Sequence, residues 1–161
     1  MKRYWVDANV FIWGSREPFP FDGMKSYWDW FDKKLEEGVI VTHKRVYEEV
    51  IKGNIRDKED RIVAWVRARK SKGLYIGSTE ASQKLVGEIC TYAFDKYAPS
   101  KAKRFVNGAD PFLIAAASLE SGTVVTQESR NKELRIPEVC AQFGVAYMNL
   151  FEMNRILKIR L

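Results

Sequence analysis

The stretch RYWVDAN, residues 3–9, decides how the rest of the chain is read. Tyr4, Trp5 and Val6 run together with no polar alternation, the pattern of a strand covered on both faces. A lone acid in a turn-forming Asp-Ala-Asn then stops it. A strand buried on both faces belongs in the middle of a parallel sheet, so Asp7 stands at the carboxyl end of a central strand. Open parallel sheets bind their ligands at that edge.

Working outward, Met24, Trp28, Phe31 and Leu35 form one apolar helical face over residues 23–37, with Gly38 as the stop. The aromatic run YWDWF inside it therefore reads as core. VIV at 39–41 is a second short strand, and Thr42 is placed to cap a helix carrying Val46, Tyr47, Val50 and Ile51 on one side before Gly53. Residues 57–70 and 79–97 are amphipathic helices, one striped with Ile62, Trp65 and Val66, the other with Leu85, Val86, Ile89, Cys90, Ala93, Phe94 and Tyr97. A basic loop, APSKAKRFVNG, leads to a helix from Pro111 to Ser121, a strand TVVT at 123–126, a short helix after Pro137 and a last strand VAYMN at 145–149. Strands alternating with helices predict an α/β fold with a mainly parallel sheet, in one domain over residues 1–161. Trp13, Phe19 and Phe21, in a proline-containing loop, are placed to rim a site or a dimer contact.

Bulk composition limits the chemistry. A chain of 161 residues, 46% hydrophobic, suits one core, and its net charge of +6 with a pI near 9.3 favours acidic partners such as nucleic acid. Its apolar runs fall short of the roughly 18 residues of a membrane span and no signal-peptide core opens it, so a cytoplasmic protein is expected. The two cysteines, Cys90 and Cys140, lie far apart in apolar company and read as core residues. With His43 the one histidine, a two-histidine zinc site is excluded, and no serine or cysteine nucleophile motif is present. Carboxylates remain.

Glu128 follows TVVT by two residues and so projects over the same edge as Asp7. A helix of about 11 residues spans roughly 16 Å and the returning strand with its turn recovers a similar distance, which brings Asp110 back beside Glu128. The helix after VIV starts at that edge too, bringing Glu48 and Glu49 within reach, and periodicity does not choose between them. Converging carboxylates repel unless a cation sits among them. An oxygen-only donor set favours Mg²⁺ or Mn²⁺, one or two ions, as in sites that activate water and stabilise phosphoryl oxygens. Lys101, Lys103 and Arg104, just before Asp110, are candidate RNA phosphate contacts, and Arg130 is placed to steady a phosphate. Each acid also has a plainer reading: Asp110 before Pro111 suits a helix N-cap, Asp7 with Asn9 suits a turn, and Glu48 and Glu49 suit a solvated helix face.

The motifs WVDANVFI, VYEEVIKG, GADPFLIAAA and VVTQESR, in this order and spacing, resemble those of PIN-domain nucleases, and IPEVCAQFGVAYMNLFEM resembles a poorly characterised bacterial and archaeal branch of them. The resemblance covers nearly the whole chain. It implies a three-layer α/β/α PIN-like fold, Mg²⁺- or Mn²⁺-dependent RNA cleavage, and a role as the toxin of a toxin–antitoxin pair, with RNA, a cognate antitoxin and a second copy of the chain as partners. Its four acids fall on Asp7, Glu49, Asp110 and Glu128, as metal ligands and catalytic residues. Asn9 and Thr126 fall on supporting positions. Glu128 departs from the Asp or Asn common at the fourth position. The rival implied by that departure is a catalytically inactive PIN-like scaffold that binds RNA or a protein.

Overall fold

The computed structural model describes residues 1–52, 60–70, 75–129 and 132–161. Its elements in chain order are β1 (Tyr4–Val6), α1 (Ala8–Arg16), α2 (Lys25–Glu36), β2 (Ile40–His43), α3 (Lys44–Lys52), α4 (Arg61–Ala68) and β3 (Tyr75–Ile76). There follow α5 (Glu80–Lys96), α6 (Pro99–Val106), α7 (Asp110–Leu119), β4 (Thr123–Val125), α8 (Ile136–Phe143), β5 (Ala146–Met148) and α9 (Leu150–Ile156). The strands form one sheet in the order β3-β2-β1-β4-β5, and every pairing is parallel. Helices pack on both faces. Right-handed crossovers, the rule for parallel strands, would put the helices before β3 on one side and those after it on the other, and contacts among α1, α3 and α4 and among α5, α6, α7 and α8 agree with that division, while α3 also meets α7.

β1 is the central strand, as RYWVDAN requires. Tyr4, Trp5 and Val6 are all buried, and Val6 lies opposite Val125 in register. From β1 the chain winds outward through β2 and β3, then crosses back to add β4 and β5 on the other side. The carboxyl ends of β1 and β4 therefore flank the point where the winding reverses, the place where such sheets open a crevice.

The aromatic run in α2 is core. Trp28 and Phe31 are buried with Phe11 of α1 and stand 5.2 and 6.0 Å, centroid to centroid, from Trp65 of α4. Such edge and tilted pairs gain about 0.5–1.5 kcal/mol each beyond area burial. Gly38, at φ +71°, ends α2 in the left-handed region that favours glycine.

Four local expectations are corrected. Residues 8–16, expected as turn and loop, are helix α1: Asp7 accepts from the Ala8 N–H at 2.6 Å, and Val10 and Phe11 are buried on its inner face. The basic loop before Asp110 is mostly helix α6, whose Pro99 supplies a preset first turn and whose Ala102 and Phe105 pack inward. Thr42 does not cap α3. It lies inside β2 and donates its hydroxyl to the Val6 carbonyl at 2.7 Å, while His43 Nδ1 accepts from the Arg45 N–H at 3.0 Å. β3 and α9 are additional elements, the former two residues long and without alternation to betray it. The expected stop at Gly53 and residues 57–59 of the expected helix lie outside the described residues. No helix among the described residues is long and apolar enough to cross a membrane.

One close approach fixes the turn between α7 and β4. A Cβ on Gly122 would lie 2.9 Å from Trp5 Cδ1 and 3.1 Å from the Arg3 carbonyl, the first on the central strand and the second just before it. Gly122→Ala is expected to lower unfolding free energy by about 1–3 kcal/mol, the usual cost of overpacking, measured by urea denaturation. An unchanged midpoint would show that β1 yields at this contact.

Candidate active site

The loop ends of β1 and β4 bring three carboxylates together. Asp7, Asp110 and Glu128 each offer an oxygen within 4.8 Å of the others. Asp7 is 3% exposed. Its main-chain N–H continues the ladder by donating to the Val125 carbonyl at 3.0 Å, its Oδ1 accepts from Ala8, and its Oδ2 accepts the Thr126 hydroxyl proton at 3.1 Å. The orientation of this buried acid is thus set from both strands. Asn9 links the two loops again: its Oδ1 accepts from the Gln127 N–H at 3.1 Å and its amide donates to Thr126 Oγ1 at 3.4 Å.

Asp110 opens α7 without capping it. The N-cap position falls on Ala109, and no side chain makes the cap hydrogen bond. The plainer reading of Asp110 as an N-cap is thereby set aside, and its carboxylate is left for the cluster. A neighbouring helix serves this corner instead. Glu49 Oε1, from α3, accepts from the Ala109 N–H at 3.0 Å, and an added Cβ on Gly108 would stand 3.1 Å from the same oxygen. Glu49 lines the cleft beside the trio, whereas Glu48 does not. Helical rotation makes the distinction that periodicity left open.

Glu128 uses its longer arm. Oε2 accepts from the Ile136 N–H at 2.8 Å, the first residue of α8, while Oε1 lies 3.7 Å from Arg135. A carboxylate at a helix N-terminus is favoured by the exposed N–H groups and the dipole. An aspartate one methylene shorter would have to give up this reach or its place in the trio.

The cleft around these groups has a volume of about 410 Å³. Lys101, Arg104 and Arg135 line it together with the carboxylates, so cations and acids share one cleft. Lys101 also pairs with Glu133 at 3.1 Å. Lys103 is exposed on α6 away from the lining, and Arg130 lies outside the described residues. Trp13, placed by the sequence to rim a site, lines the cleft wall, from helix α1 rather than from a loop, whereas sequence reasoning missed Arg135. Arg135 immediately precedes Ile136-Pro137 at a helix start, a position that marks it as close to whatever approaches that helix end.

Electrostatics follow from this crowding. Burial first, and then the charges of Glu128 and Glu49, push the Asp7 carboxyl up to about 7, against the pull of its Ala8 and Thr126 hydrogen bonds. Burial, followed by Asp7, Glu128 and Glu49, holds Asp110 well above the usual carboxylate range. His43 is no acid–base partner here. Burial and Arg45 lower it to about 4, so it is neutral near pH 7, with Nδ1 engaged by Arg45 and Nε2 3.2 Å from Ser78 Oγ. The donor set fits a hard divalent cation: it is all oxygen, clustered, and short of positive charge at its buried centre.

A family model described as "Domain of unknown function (DUF4411)" matches residues 4–161. The chain belongs to that family. No curated protein matches it. Among solved structures, this DUF4411 chain is similar to FitAcB from Neisseria gonorrhoeae, 18% identical over 91% of this chain and 96% of that one, with a TM-score of 0.55. FitAB bound to an IR36 DNA fragment is 19% identical over 91% and 94% of the two chains, with a TM-score of 0.54. VapBC2 from Rickettsia felis, bound to a DNA fragment from their promoter, is 16% identical over 91% and 97%, with a TM-score of 0.55. At these identities the likeness is one of fold. The DUF4411 chain has the three-layer, PIN-like α/β/α fold that its motifs implied.

The raised acids fix the sign of a pH effect. A carboxyl whose pKa is higher folded than unfolded holds a proton in the folded state that the unfolded state has released, so stability falls as pH rises between the two values. For Asp7 that window runs from the ordinary 3.8 to about 7. The metal-free protein should therefore melt at a lower temperature at pH 7.5 than at pH 5.5, and Asp7→Asn should flatten the difference. Scanning calorimetry with chelator checks this, and a melting temperature that rises over the interval would contradict it.

Proposed function

We propose that this protein is a divalent-metal-dependent endoribonuclease that hydrolyses phosphodiester bonds. The observation that carries the reading is the convergence of Asp7, Asp110 and Glu128 within 4.8 Å at the switch point of the sheet, with Arg104 and Arg135 on the same cleft. Asp7, Asp110 and Glu128 would hold one or two Mg²⁺ or Mn²⁺ ions, with Glu49 beside them. Such an ion supplies an activated water and charge for the phosphoryl oxygens at neutral pH. The raised Asp7 and Asp110 support this reading, since a cation among them restores the ionised forms that burial disfavours.

The remaining roles belong to the chain. Thr126 holds Asp7 through its hydroxyl proton, and Asn9 holds Thr126 and the β4 loop in turn. The Ile136 N–H and Arg135 keep Glu128 extended over the cleft. Arg104 and Arg135, with their planar guanidinium donors, suit the phosphates flanking the scissile bond. The net charge of +6 supports a polyanionic substrate. The fold shared with FitAB and VapBC2 supports a further proposal, that the chain is the toxin of a toxin–antitoxin pair and is held in check by a cognate protein.

Purified wild type should cleave a mixed pool of structured and single-stranded RNA in Mg²⁺ or Mn²⁺ and stop in chelator. Asp110→Asn, folded by circular dichroism, should lose this activity. Thr126→Ala should lose roughly 10–100-fold, the usual effect of groups that orient metal ligands. Gel-based cleavage assays read all three outcomes. Wild type that binds RNA but cuts none with any metal would replace the nuclease by a binding scaffold.

A further inference from the structure

The cleft does not end at the carboxylates. A second cavity of about 700 Å³ adjoins it, and the two share Asn9, Trp13, Glu128 and Arg135 as common walls. Both volumes lie within the roughly 300–1,000 Å³ of ordinary ligand pockets. The second cavity adds Lys132, so cations accompany it past the acidic centre. Trp13 stands where one cavity passes into the other. It is half-buried on α1, and its ring meets Phe151 of α9 edge-on, centroids 5.8 Å apart at 90°. Phe151 in turn is 46% exposed and stands 6.2 Å from Phe19.

A ring that serves only the core needs no such position, and Trp5 and Trp28 show where the core takes an indole. Trp13 is half-buried and lines both cavities, so the part of its indole face open there can receive another flat group. Beside a row of arginine and lysine side chains, the flat group carried on a phosphate chain is a nucleobase. A duplex hides that face in its own stack, so only an unpaired base reaches it.

We propose that Trp13 is a specificity-determining residue that stacks an unpaired base of the substrate next to the scissile phosphate. The inference rests on the RNA-directed reading of the cleft. Trp13 does not touch the reacting atoms. It grips the nucleotide beyond Glu128, with Arg135 positioned for the intervening phosphate, and so selects single-stranded segments.

The test separates binding from cleavage. A single-stranded RNA carrying 2-aminopurine is titrated into the Asp110→Asn protein, which spares the probe, with Trp13 kept, changed to Phe or changed to Ala. Stacking should quench the fluorophore when Trp13 is kept and in Trp13→Phe alike, while Trp13→Ala, folded by circular dichroism, should lose the quench and bind roughly five- to hundredfold more weakly. In the cleavage-competent background, Trp13→Ala should raise KM by more than it lowers kcat, and Trp13→Phe should restore most of the loss. Equal affinity in Trp13→Ala overturns the proposal while leaving the nuclease reading intact. The same loss on fully duplex RNA overturns it too, because the effect would then be structural. Should Trp13→Ala keep its RNA affinity but abolish self-association in sedimentation, the aromatic pair is a protein contact and the proposal falls. Wild type that cuts nothing, with Trp13-dependent quenching still present, would overturn the nuclease reading alone.

Discussion

The structure turns on the parallel pairing of β1 with β4. It sets Val6 opposite Val125 and extends by one further hydrogen bond, from the Asp7 N–H to the Val125 carbonyl. Everything at the candidate site is a consequence of that register. Shift β4 by one residue and side chains exchange faces: Thr126 would no longer reach Asp7, and Glu128 would point away from the cleft. The residues joined by the Thr126 hydroxyl are 119 positions apart in sequence, so this contact ties the first strand to the last third of the chain.

Two opposing demands meet at this register. A buried carboxylate is costly, and three of them sharing one corner are costlier. The fold offsets part of the cost with fixed donors: the Ala8 and Thr126 groups for Asp7, the Ala109 N–H for Glu49, the Ile136 N–H and Arg135 for Glu128. Asp110 makes no cap hydrogen bond of its own. Sites where local rules are broken in this way are where function is expected, because nothing in packing alone rewards the arrangement.

How much of this was legible depends on which force shapes each segment. The central strand could be read because burial on both faces leaves an uninterrupted apolar run, and α2 because its stripe repeats over three turns. The edge position of Asp7, Asp110 and Glu128 followed from topology and length. By contrast α1 hides behind an Asp-Ala-Asn that looks like a turn and a Gly14 that looks like a loop, yet Gly14 sits against Leu150 and Trp28. α6 hides because only Ala102 and Phe105 face inward in a basic segment. Neighbouring glutamates at 48 and 49 differ by a rotation of the helix that only tertiary packing fixes. The pairing of Arg135 was illegible for the same reason: its partner Glu128 lies across a loop, and the helix start that follows Arg135 does not record it.

The hydrogen bond between Thr126 and Asp7 also says when the site comes into being. Synthesis at about 5–20 residues per second puts roughly 6 to 24 seconds between the appearance of Asp7 and that of Thr126 on the ribosome. Throughout that interval the first strand lacks its neighbour on one side, and Asp7 has neither its hydroxyl partner nor Glu128. Ile136, which anchors Glu128, comes later still. A nascent chain thus carries scattered acids rather than a cluster, and any chemistry that needs them together is withheld until Ile136 has been made and packed.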